Sequence, residues 1–481
     1  MIKQIILPSL LCLSLAHSSV VVSAQQLPAL GNSASSYVSL QQEHDLGRLW
    51  LRQLRSQANV IDDPLAVQFL EDIIFRLVPH SEVQISDFEF VVIDQSELNA
   101  FAVPGGIIGI NYGIFLYTQD EDELSGVLGH ELAHLSQRHF ARQLEEADKQ
   151  SPVAIATLLA SILLIATSNA DLGFAGLLGS QAASIQRQLA YSRSWEREAD
   201  RLGIKILADS GLDPTAMSSM FQQMLQASRF NQRPPEFLLT HPITEGRVAE
   251  AADRAESYSK KPRTAGFEFW VLKNRVLLYY QLQGQERDLY LQRQLEKTAN
   301  QAIAHAATLY ALAELALQQN KPDEAQQWLK QIAPEKQKEI AVIALQAKVL
   351  QALNQPSAAL KLIDDNLPFA PKNYILLSTK ASLLALQNQW SEAILQWRLL
   401  SELRPTEPYI WKELSQAAAK GNQLAVAYKA NAEFLFYNGQ YPQALRQMDL
   451  AIKEAKKIND FQMEAAFKQR QLLMANAPTR F

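Results

Sequence analysis

Small side chains recur every 34 residues in the second half of this 481-residue chain. One set consists of Ala325, Ala359, Ala393 and Ala427, and a second set with the same spacing consists of Ala313, Ala347, Ala381 and Ser415. This period, with two small positions in each repeat, is typical of stacked pairs of antiparallel helices. One such pair cannot bury its apolar face alone, so the spacing predicts an all-α solenoid over residues 306–481.

The repeats match the tetratricopeptide type, whose stacked helices present a concave surface to extended peptides or protein partners. Trp411 fits the start of one repeat, whereas Gly439 and Ala444 mark another that is displaced by only 17 residues from Ala427. Two interpretations follow. Either the helix near Leu424–Tyr437 belongs to two overlapping repeats, or the register is broken there.

The first half of the chain contains His-Glu-Leu-Ala-His at residues 130–134. Residues four apart on an α-helix lie within about 40° of one another, so His130 and His134 can hold one metal ion. Glu131 then lies beside the metal, where its carboxylate can take a proton from water and deliver it to a leaving amine. The pattern predicts a hydrolytic site with one Zn²⁺ per chain.

The alternative is that these residues share an exposed helix by chance. Asp120 and Glu123 have the spacing of an N-terminal capping box. Apolar side chains then recur at helical intervals, at Leu124, Val127, Leu128, Leu132 and Leu135. The context therefore predicts a buried helix.

A catalytic zinc ion usually has three protein ligands and one open position, so a third ligand must come from elsewhere. Residues 191–200 begin a second helix that is rich in carboxylates. Glu196 is the candidate third ligand, and Asp200, one turn later, is placed to accept the free N–H of a ligating histidine. The alternative is a solvated charge run in which Glu196 and Glu198 pair with neighbouring arginines.

These segments resemble the CAAX prenyl endopeptidase and HtpX family of zinc metallopeptidases, and within it the BepA-type β-barrel assembly-enhancing proteases with a C-terminal tetratricopeptide domain. The matching residues are Asp122 to His134, Glu196 to Asp200, Asn99-Ala100-Phe101 and Gly105-Gly106. The resemblance covers nearly the whole mature chain. It implies that Glu196 completes the zinc site, and that an α+β gluzincin-like metallopeptidase domain, mostly helical with a small antiparallel sheet, precedes the solenoid.

His241 precedes a proline, where a lone histidine is usually a loop residue. The resemblance implies that this loop approaches the metal, so that His241 is a candidate fourth ligand and a gate that keeps the protease latent. A neutral imidazole would occupy the position that water needs. His139 lies about 140° around a continuous helix from His134 and would not share its face. Candidates for stabilising the tetrahedral oxyanion are Tyr191, Arg247 and His241.

Three short segments before the metal helix have the composition of strands: residues 88–93, 99–103 and 106–110. An edge strand of a zinc peptidase can pair with an extended substrate, which makes Asn99, Ala100 and Phe101 candidate substrate-strand residues. A hairpin that serves only the core is the alternative.

The N-terminus is typical of a secretory signal at residues 1–24, with an apolar run and a cleavage pattern ending at Ala24. Export to the periplasm is therefore expected. The one cysteine, Cys12, lies in this signal, so the mature chain has no thiol chemistry.

A second apolar stretch covers residues 153–179. Its first fifteen residues would reach roughly 22 Å as a helix, which is short of a bilayer core of about 30 Å, so no transmembrane span is expected. Packing on the catalytic core is the favoured interpretation. A lid over the zinc, or a surface for peripheral contact with lipid or with membrane-protein clients, are the others.

The charge balance excludes nucleic acid as a partner, because 45 basic and 50 acidic residues leave a net charge of −5 with no basic stripe. We predict a metallopeptidase domain at residues 25–262, connecting helices at 263–305 and the solenoid from 306 onward.

Two functions remain. In the first, a periplasmic zinc endopeptidase receives substrates from the solenoid. In the second, the chain is mainly an assembly chaperone with a latent protease site. The resemblance implies both, with unfolded or stalled outer-membrane β-barrel proteins as clients and the β-barrel assembly machinery as a partner.

Overall fold

A computed structural model describes residues 38–146, 152–167, 193–230, 237–263 and 265–479. The predicted signal at residues 1–24, the glycine-spaced segment 173–179 and Tyr191 lie outside the described residues. The helices of the N-terminal half are α1 (Leu40–Gln57), α2 (Pro64–Leu77), α3 (Ile114–Tyr117), α4 (Glu121–Ser136), α5 (His139–Glu146), α6 (Pro152–Thr167), α7 (Arg193–Asp209), α8 (Thr215–Phe230), α9 (Phe237–Thr240) and α10 (Glu245–Glu256).

Short-range signals set where α2 and α4 begin. Asp63 accepts a hydrogen bond from the amide of Leu65 at 3.0 Å, and Pro64 fills the first helical position, where no amide hydrogen is needed. Asp120 caps α4 by accepting from the amide of Glu123 at 2.9 Å. The Glu123 carboxylate accepts in turn from the amide of Gln119, one residue before the position that a capping box predicts.

The sheet has three strands, and they are β1 (Glu89–Ile93), β2 (Ala100–Val103) and β3 (Ile107–Asn111). Their order is β1-β3-β2, with β1 parallel and β2 antiparallel to β3. The prediction of an antiparallel sheet was therefore wrong for β1. The turn at Gly105 and Gly106, whose φ angles are 84° and 80°, fixes only the β2–β3 hairpin. Residues 94–99 cross to the far side of β3, which leaves β2 at the edge.

The apolar helix α6 packs against α1, as the favoured interpretation of residues 153–167 predicted. Leu159 and Leu163 are buried in one cluster with Trp50. The indole N–H of Trp50 donates to the carbonyl of Leu159 at 3.1 Å. Among the described helices, none combines the length and the apolar character that crossing a bilayer requires.

The C-terminal half is a succession of helices: α11 (Phe267–Tyr280), α12 (Gln285–Lys297), α13 (Ala302–Gln318), α14 (Pro322–Gln331), α15 (Ile340–Ala352), α16 (Pro356–Asn366), α17 (Tyr374–Leu386), α18 (Trp390–Leu403), α19 (Pro408–Lys420), α20 (Leu424–Tyr437), α21 (Tyr441–Lys457) and α22 (Phe461–Asn476).

The 34-residue period reappears in the turns of this half. Asn320, Asn354, Asn388 and Asn422 have φ angles between 57° and 59°, and each follows the first helix of a pair. Asparagine tolerates this left-handed conformation, which ends a helix and reverses the chain. The small residue Ala325 and its equivalents are buried where the paired helices cross.

Helix α20 belongs to two overlapping pairs. Gly439, with a φ angle of 72°, forms the same kind of turn as Asn422 but only 17 residues later. As a result α20 packs against both α19 and α21. The structure therefore agrees with the interpretation of two overlapping repeats and not with a broken register.

The solenoid packs against the N-terminal half. Helix α17 contacts α2, and one cluster of buried apolar side chains runs from α2 to α20. Arg404 pairs with Glu71, and the guanidinium of Arg55 donates to the carbonyl of Thr406 at 3.0 Å. Helix α11 packs on α2, α3 and α13, so packing is continuous across residues 262 and 305, and the domain boundaries stay predictions.

Candidate active site

Two crossing helices bring the predicted metal ligands together. Helix α4 supplies His130, Glu131 and His134, and α7 supplies Glu196, with all four side chains almost fully buried. The crossing is close because Gly129 and Gly203 face each other. A Cβ at Gly203 would lie 3.1 Å from the His130 amide nitrogen and 3.2 Å from the Gly129 carbonyl carbon.

We expect Gly203→Ala to weaken zinc binding and to lower the free energy of unfolding of the metal-free protein by about 1–3 kcal/mol. The added methyl group would push α7 away from α4 and so move Glu196 from the histidines. Competition with a chelator measures the affinity. Gly246→Ala is the control, because its Cβ meets only the Thr244 hydroxyl at 3.8 Å. Equal affinities in the two variants would contradict this role for the crossing.

Four buried donor atoms converge at the crossing, and they belong to His130, His134, Glu196 and His241. These atoms lie within 4.8 Å of one another. The Nε2 atoms of His130 and His134 are 3.0 Å apart, and Glu196 Oε1 lies 3.4 Å from Nε2 of His134. Nδ1 of His241 lies 3.3 Å from Nε2 of His130 and 3.0 Å from Glu196 Oε1.

This donor set fits zinc. Zinc–nitrogen bonds of about 2.0–2.1 Å at tetrahedral angles place ligand atoms about 3.3 Å apart. The separations given above, from 3.0 to 3.4 Å, are close to that value. Two imidazole nitrogens and a carboxylate are typical ligands of zinc, whereas calcium and magnesium are bound mainly by oxygen atoms. The group could therefore hold one zinc ion.

Glu131 lies beside the donors and is oriented by the sheet. Its Oε2 accepts a hydrogen bond from the amide of Ala102 in β2 at 3.0 Å. Its Oε1 is buried, lies 3.5 Å from Nε2 of His241, and accepts no hydrogen bond from the described part of the chain. Burial raises the pKa of the Glu131 carboxyl. A buried acceptor with a raised pKa suits a group that takes up and returns a proton.

Asp200 and Arg247 form a layer behind the donors. Asp200 Oδ1 lies 3.0 Å from Nδ1 of His130, at the position predicted for a group that fixes the histidine tautomer. Arg247 donates to both oxygens of Asp200, at 2.8 and 2.7 Å, and its Nη1 lies 2.8 Å from Glu196 Oε2. Arg247 also donates to the carbonyl of Pro242 at 2.8 Å, so these contacts hold its guanidinium behind the donors, and its candidacy for the oxyanion stays a prediction.

The site electrostatics favour a cation among the donors. Burial lowers the pKa of His130, but hydrogen bonds and charges from Asp200 and Glu196 overcome this effect and raise it to about 9. Burial would raise the pKa of Glu196, but the charge of His241 and hydrogen bonds from the histidines hold it well below its usual value. Metal binding must displace the His130 proton. The affinity for the metal should therefore decrease as the pH is lowered.

His139 supports His134 from behind, a role that the sequence did not reveal. The helix predicted to continue past His134 ends at Ser136, and Arg138 has a φ angle of 50°, so His139 begins a new helix. The Nδ1 atoms of His139 and His134 are 2.7 Å apart, and Nε2 of His139 lies 3.3 Å from Glu198. The hydrogen bond to His139 is the largest cause that lowers the pKa of Glu198 to about 2.

His241 is held in place by the short helix before it. Its amide donates to the carbonyl of Phe237 at 2.9 Å, and the two rings stack with centroids 4.7 Å apart. The side chain is 4% exposed, and its ring nitrogens lie 3.5 Å from Glu131 and 3.0 Å from Glu196. His241 therefore lies between Glu131 and Glu196, where it closes one side of the donor group.

The candidate substrate strand lies at the edge of the sheet, beside α4. The Asn111 amide donates to the Asn99 carbonyl, so the alternating pattern of an antiparallel pair directs the backbone groups of Ala100 and Ala102 away from β3. The side chains of Asn99, Ala100 and Phe101 are buried, and Phe101 contacts Trp50. The burial of these residues agrees with the alternative of a core role, and their use as a substrate strand stays a prediction.

Comparisons with known proteins point the same way. The profile of Peptidase family M48 matches residues 64–255, and a Tetratricopeptide repeat profile matches residues 291–349. The chain is 31% identical to the Beta-barrel assembly-enhancing protease of Yersinia pestis over 89% of this chain and 88% of that protein. It is 36% identical to the Escherichia coli K12 protein of that name, over 64% and 62% of the two chains. Mitochondrial Metalloendopeptidase OMA1 of Bos taurus is 34% identical over 34% of this chain and 31% of its own.

Proposed function

The chain belongs to the β-barrel assembly-enhancing proteases of peptidase family M48, and from this we propose that it is a periplasmic zinc metalloendopeptidase that degrades misassembled outer-membrane proteins and assists their assembly. The convergence of four buried donor atoms beside Glu131 is the observation that carries the proposal. Its compartment rests on the predicted signal at residues 1–24.

In the proposed reaction His130, His134 and Glu196 hold the zinc ion. Bound zinc supplies a Lewis acid that polarises the scissile carbonyl and acidifies water. Glu131 takes the proton of the attacking water on its buried Oε1 and gives it to the leaving amine. Asp200 keeps the N–H of His130 on Nδ1, so that Nε2 remains free to ligate.

We place the substrate along β2. An edge strand can offer backbone groups to an extended chain, and in β2 those of Ala100 and the carbonyl of Ala102 point away from β3. The amide of Ala102 also orients Glu131, so this hydrogen bond fixes the position of the base relative to the strand. The solenoid recruits the client, and the machinery that inserts β-barrels is its proposed partner.

The experiment for this proposal is cleavage of a denatured outer-membrane β-barrel protein by the purified chain. Cleavage should stop after removal of zinc by a chelator and return when one equivalent of zinc is added. Cleavage that persists in the stripped protein would exclude the zinc mechanism.

An assembly chaperone with a latent protease site is the second candidate function. The position of His241 favours it, since Nδ1 is within 3.3 Å of His130 Nε2 and the ring fills the side of the site next to Glu131. A fourth ligand there leaves no place for water. Proteolysis then requires that the loop carrying His241 moves away.

We expect His241→Ala to raise the rate of hydrolysis of an unfolded protein several-fold without loss of zinc. The alanine opens the fourth position, while His130, His134 and Glu196 remain. Rates and zinc content are compared with those of His80→Ala, a control at an exposed histidine. A fall in rate without loss of zinc would show that His241 takes part in the reaction and is not a gate.

A further inference from the structure

A cavity of about 580 Å³ opens among α18, α19, α20 and α22 of the solenoid, outside the candidate active site. Helix α21 contributes none of its lining residues, which come from α18, α19, α20 and α22 and from Pro405 between α18 and α19. The cavity thus coincides with the place where the 34-residue repeat gives way to a 17-residue step. A volume of this size is in the range of sites for small molecules and short peptide segments.

The interior of the cavity carries more positive than negative charge. Arg398, Lys429 and Arg470 line it, against one buried carboxylate, that of Glu433. Arg470 donates to both oxygens of Glu433, at 2.9 and 2.7 Å, which satisfies that carboxylate. Glu402 also lines the cavity, but it is exposed and its charge is screened by solvent.

Arg398 has no carboxylate partner among the described residues, and Lys429 shares the carboxylate that Arg470 engages. The contact of Arg398 within the described residues is with the amide oxygen of Gln423, at 3.4 Å. The Lys429 ammonium lies 3.7 Å from the centroid of the Trp411 ring and 3.5 Å from Glu433, which Arg470 already engages. Both side chains are partly buried, so a carboxylate placed between them would form charge-assisted hydrogen bonds with Arg398 and Lys429.

The walls of the same cavity are apolar. Trp411, Leu414 and Phe467 are buried, and Met463 is half-buried. Aromatic rings and a flexible thioether can pack against apolar side chains of different shapes. The cavity therefore combines two cations that can receive a further carboxylate with a surface that accepts apolar groups.

We propose that this cavity binds a peptide segment of a client in which a carboxylate lies next to apolar side chains, with Arg398 and Lys429 holding the carboxylate and Trp411 the apolar part. The inference rests on the proposed recruiting role of the solenoid and gives that role a site and a ligand class. A carboxylate at the end of the chain and one on an aspartate side chain offer the same chemistry.

The test measures binding of labelled apolar hexapeptides to the full zinc-loaded chain by fluorescence polarisation. One peptide ends in a free carboxylate, a second is its C-terminal amide, and a third is the amide with one internal aspartate. The Glu131→Gln background prevents cleavage, so a failure of the proposed hydrolysis would leave the binding result unchanged. We expect at least one carboxylate peptide to bind about tenfold more tightly than the plain amide. The two carboxylate peptides distinguish the chain end from the side chain.

Variants then locate the binding. Arg398→Gln and Lys429→Met should each reduce the preference for the carboxylate about tenfold, and methionine preserves the packing on Trp411. Arg446→Gln, the same change at an exposed arginine of α21 outside the cavity, should leave it unaltered. Equal binding of all three peptides to the unsubstituted cavity overturns the proposal without depending on how any cavity variant folds. So does an equal effect of Arg446→Gln and Arg398→Gln.

Discussion

Glu131→Gln should lose about 10²- to 10⁴-fold in the rate of peptide hydrolysis while it binds zinc as the natural chain does. The ligands His130, His134 and Glu196 are untouched by this change. A glutamine oxygen can still accept the hydrogen bond that the Ala102 amide gives to Oε2 of Glu131 at 3.0 Å. What disappears is the buried acceptor at Oε1 that would take the proton of water. Zinc content and cleavage of a denatured protein measure the two effects separately.

Glu121→Gln is the matched control, because Glu121 lies on the same helix and its ion pair with Arg76 is long, at 3.6 Å. Its activity should stay within about twofold of normal. Hydrolysis by Glu131→Gln at the normal rate would eliminate Glu131 as the base. Rescue of outer-membrane integrity in a deletion strain by Glu131→Gln would place chaperone activity first, and failure to rescue would place proteolysis first.

Features set by neighbouring residues were predictable from the sequence. The start of α2 at Asp63 and Pro64 and the start of α4 at Asp120 follow from capping, which needs only a few consecutive residues. The repeat could be read because its small residues recur at a fixed distance, and the turn asparagines that the structure reveals have the same spacing. The predicted α+β metallopeptidase fold and helical solenoid are confirmed by the structure and by the matching family profiles.

Features set by distant contacts were not predictable. The β2–β3 hairpin follows from a glycine turn, but nothing in the alternation of β1 says which edge of the hairpin it joins or in which direction. The docking of the solenoid on α1 and α2 could not be predicted either, because it depends on contacts such as that of Arg404 with Glu71, which are far apart in sequence.

The surroundings of the candidate site show the same division. The spacing of His130 and His134 and the carboxylates of α7 gave three of the four donors that the structure brings together, and the resemblance gave the fourth, His241. His139 was excluded on the assumption that α4 continues, whereas the positive φ angle of Arg138 ends that helix and turns His139 toward His134. The role of Arg247 depends on α10 packing against α7, for which the sequence carries no local signal.

Arg247 offers the largest expected effect on stability. Its side chain is 6% exposed and bridges Asp200 and Glu196, which are themselves buried. Removing one partner of a buried ion pair leaves an uncompensated charge and costs about 3–5 kcal/mol. We therefore expect Arg247→Met to lower the free energy of unfolding of the zinc-free protein by this amount, as measured by urea titration. Methionine retains an apolar stem against Phe221, over which the guanidinium now lies at 5.1 Å.

Arg254→Met on the same helix is the control, because Arg254 is 37% exposed and its contact with Glu250 is 3.7 Å long. Its effect should stay below about 1 kcal/mol. Zinc should reduce the deficit of Arg247→Met, since the ion would supply a positive charge next to Glu196 that the lost guanidinium no longer provides. Equal losses in the two arginine variants, or a deficit that zinc leaves unchanged, would mean that Arg247 stabilises α10 alone and has no electrostatic link to the proposed metal ligands.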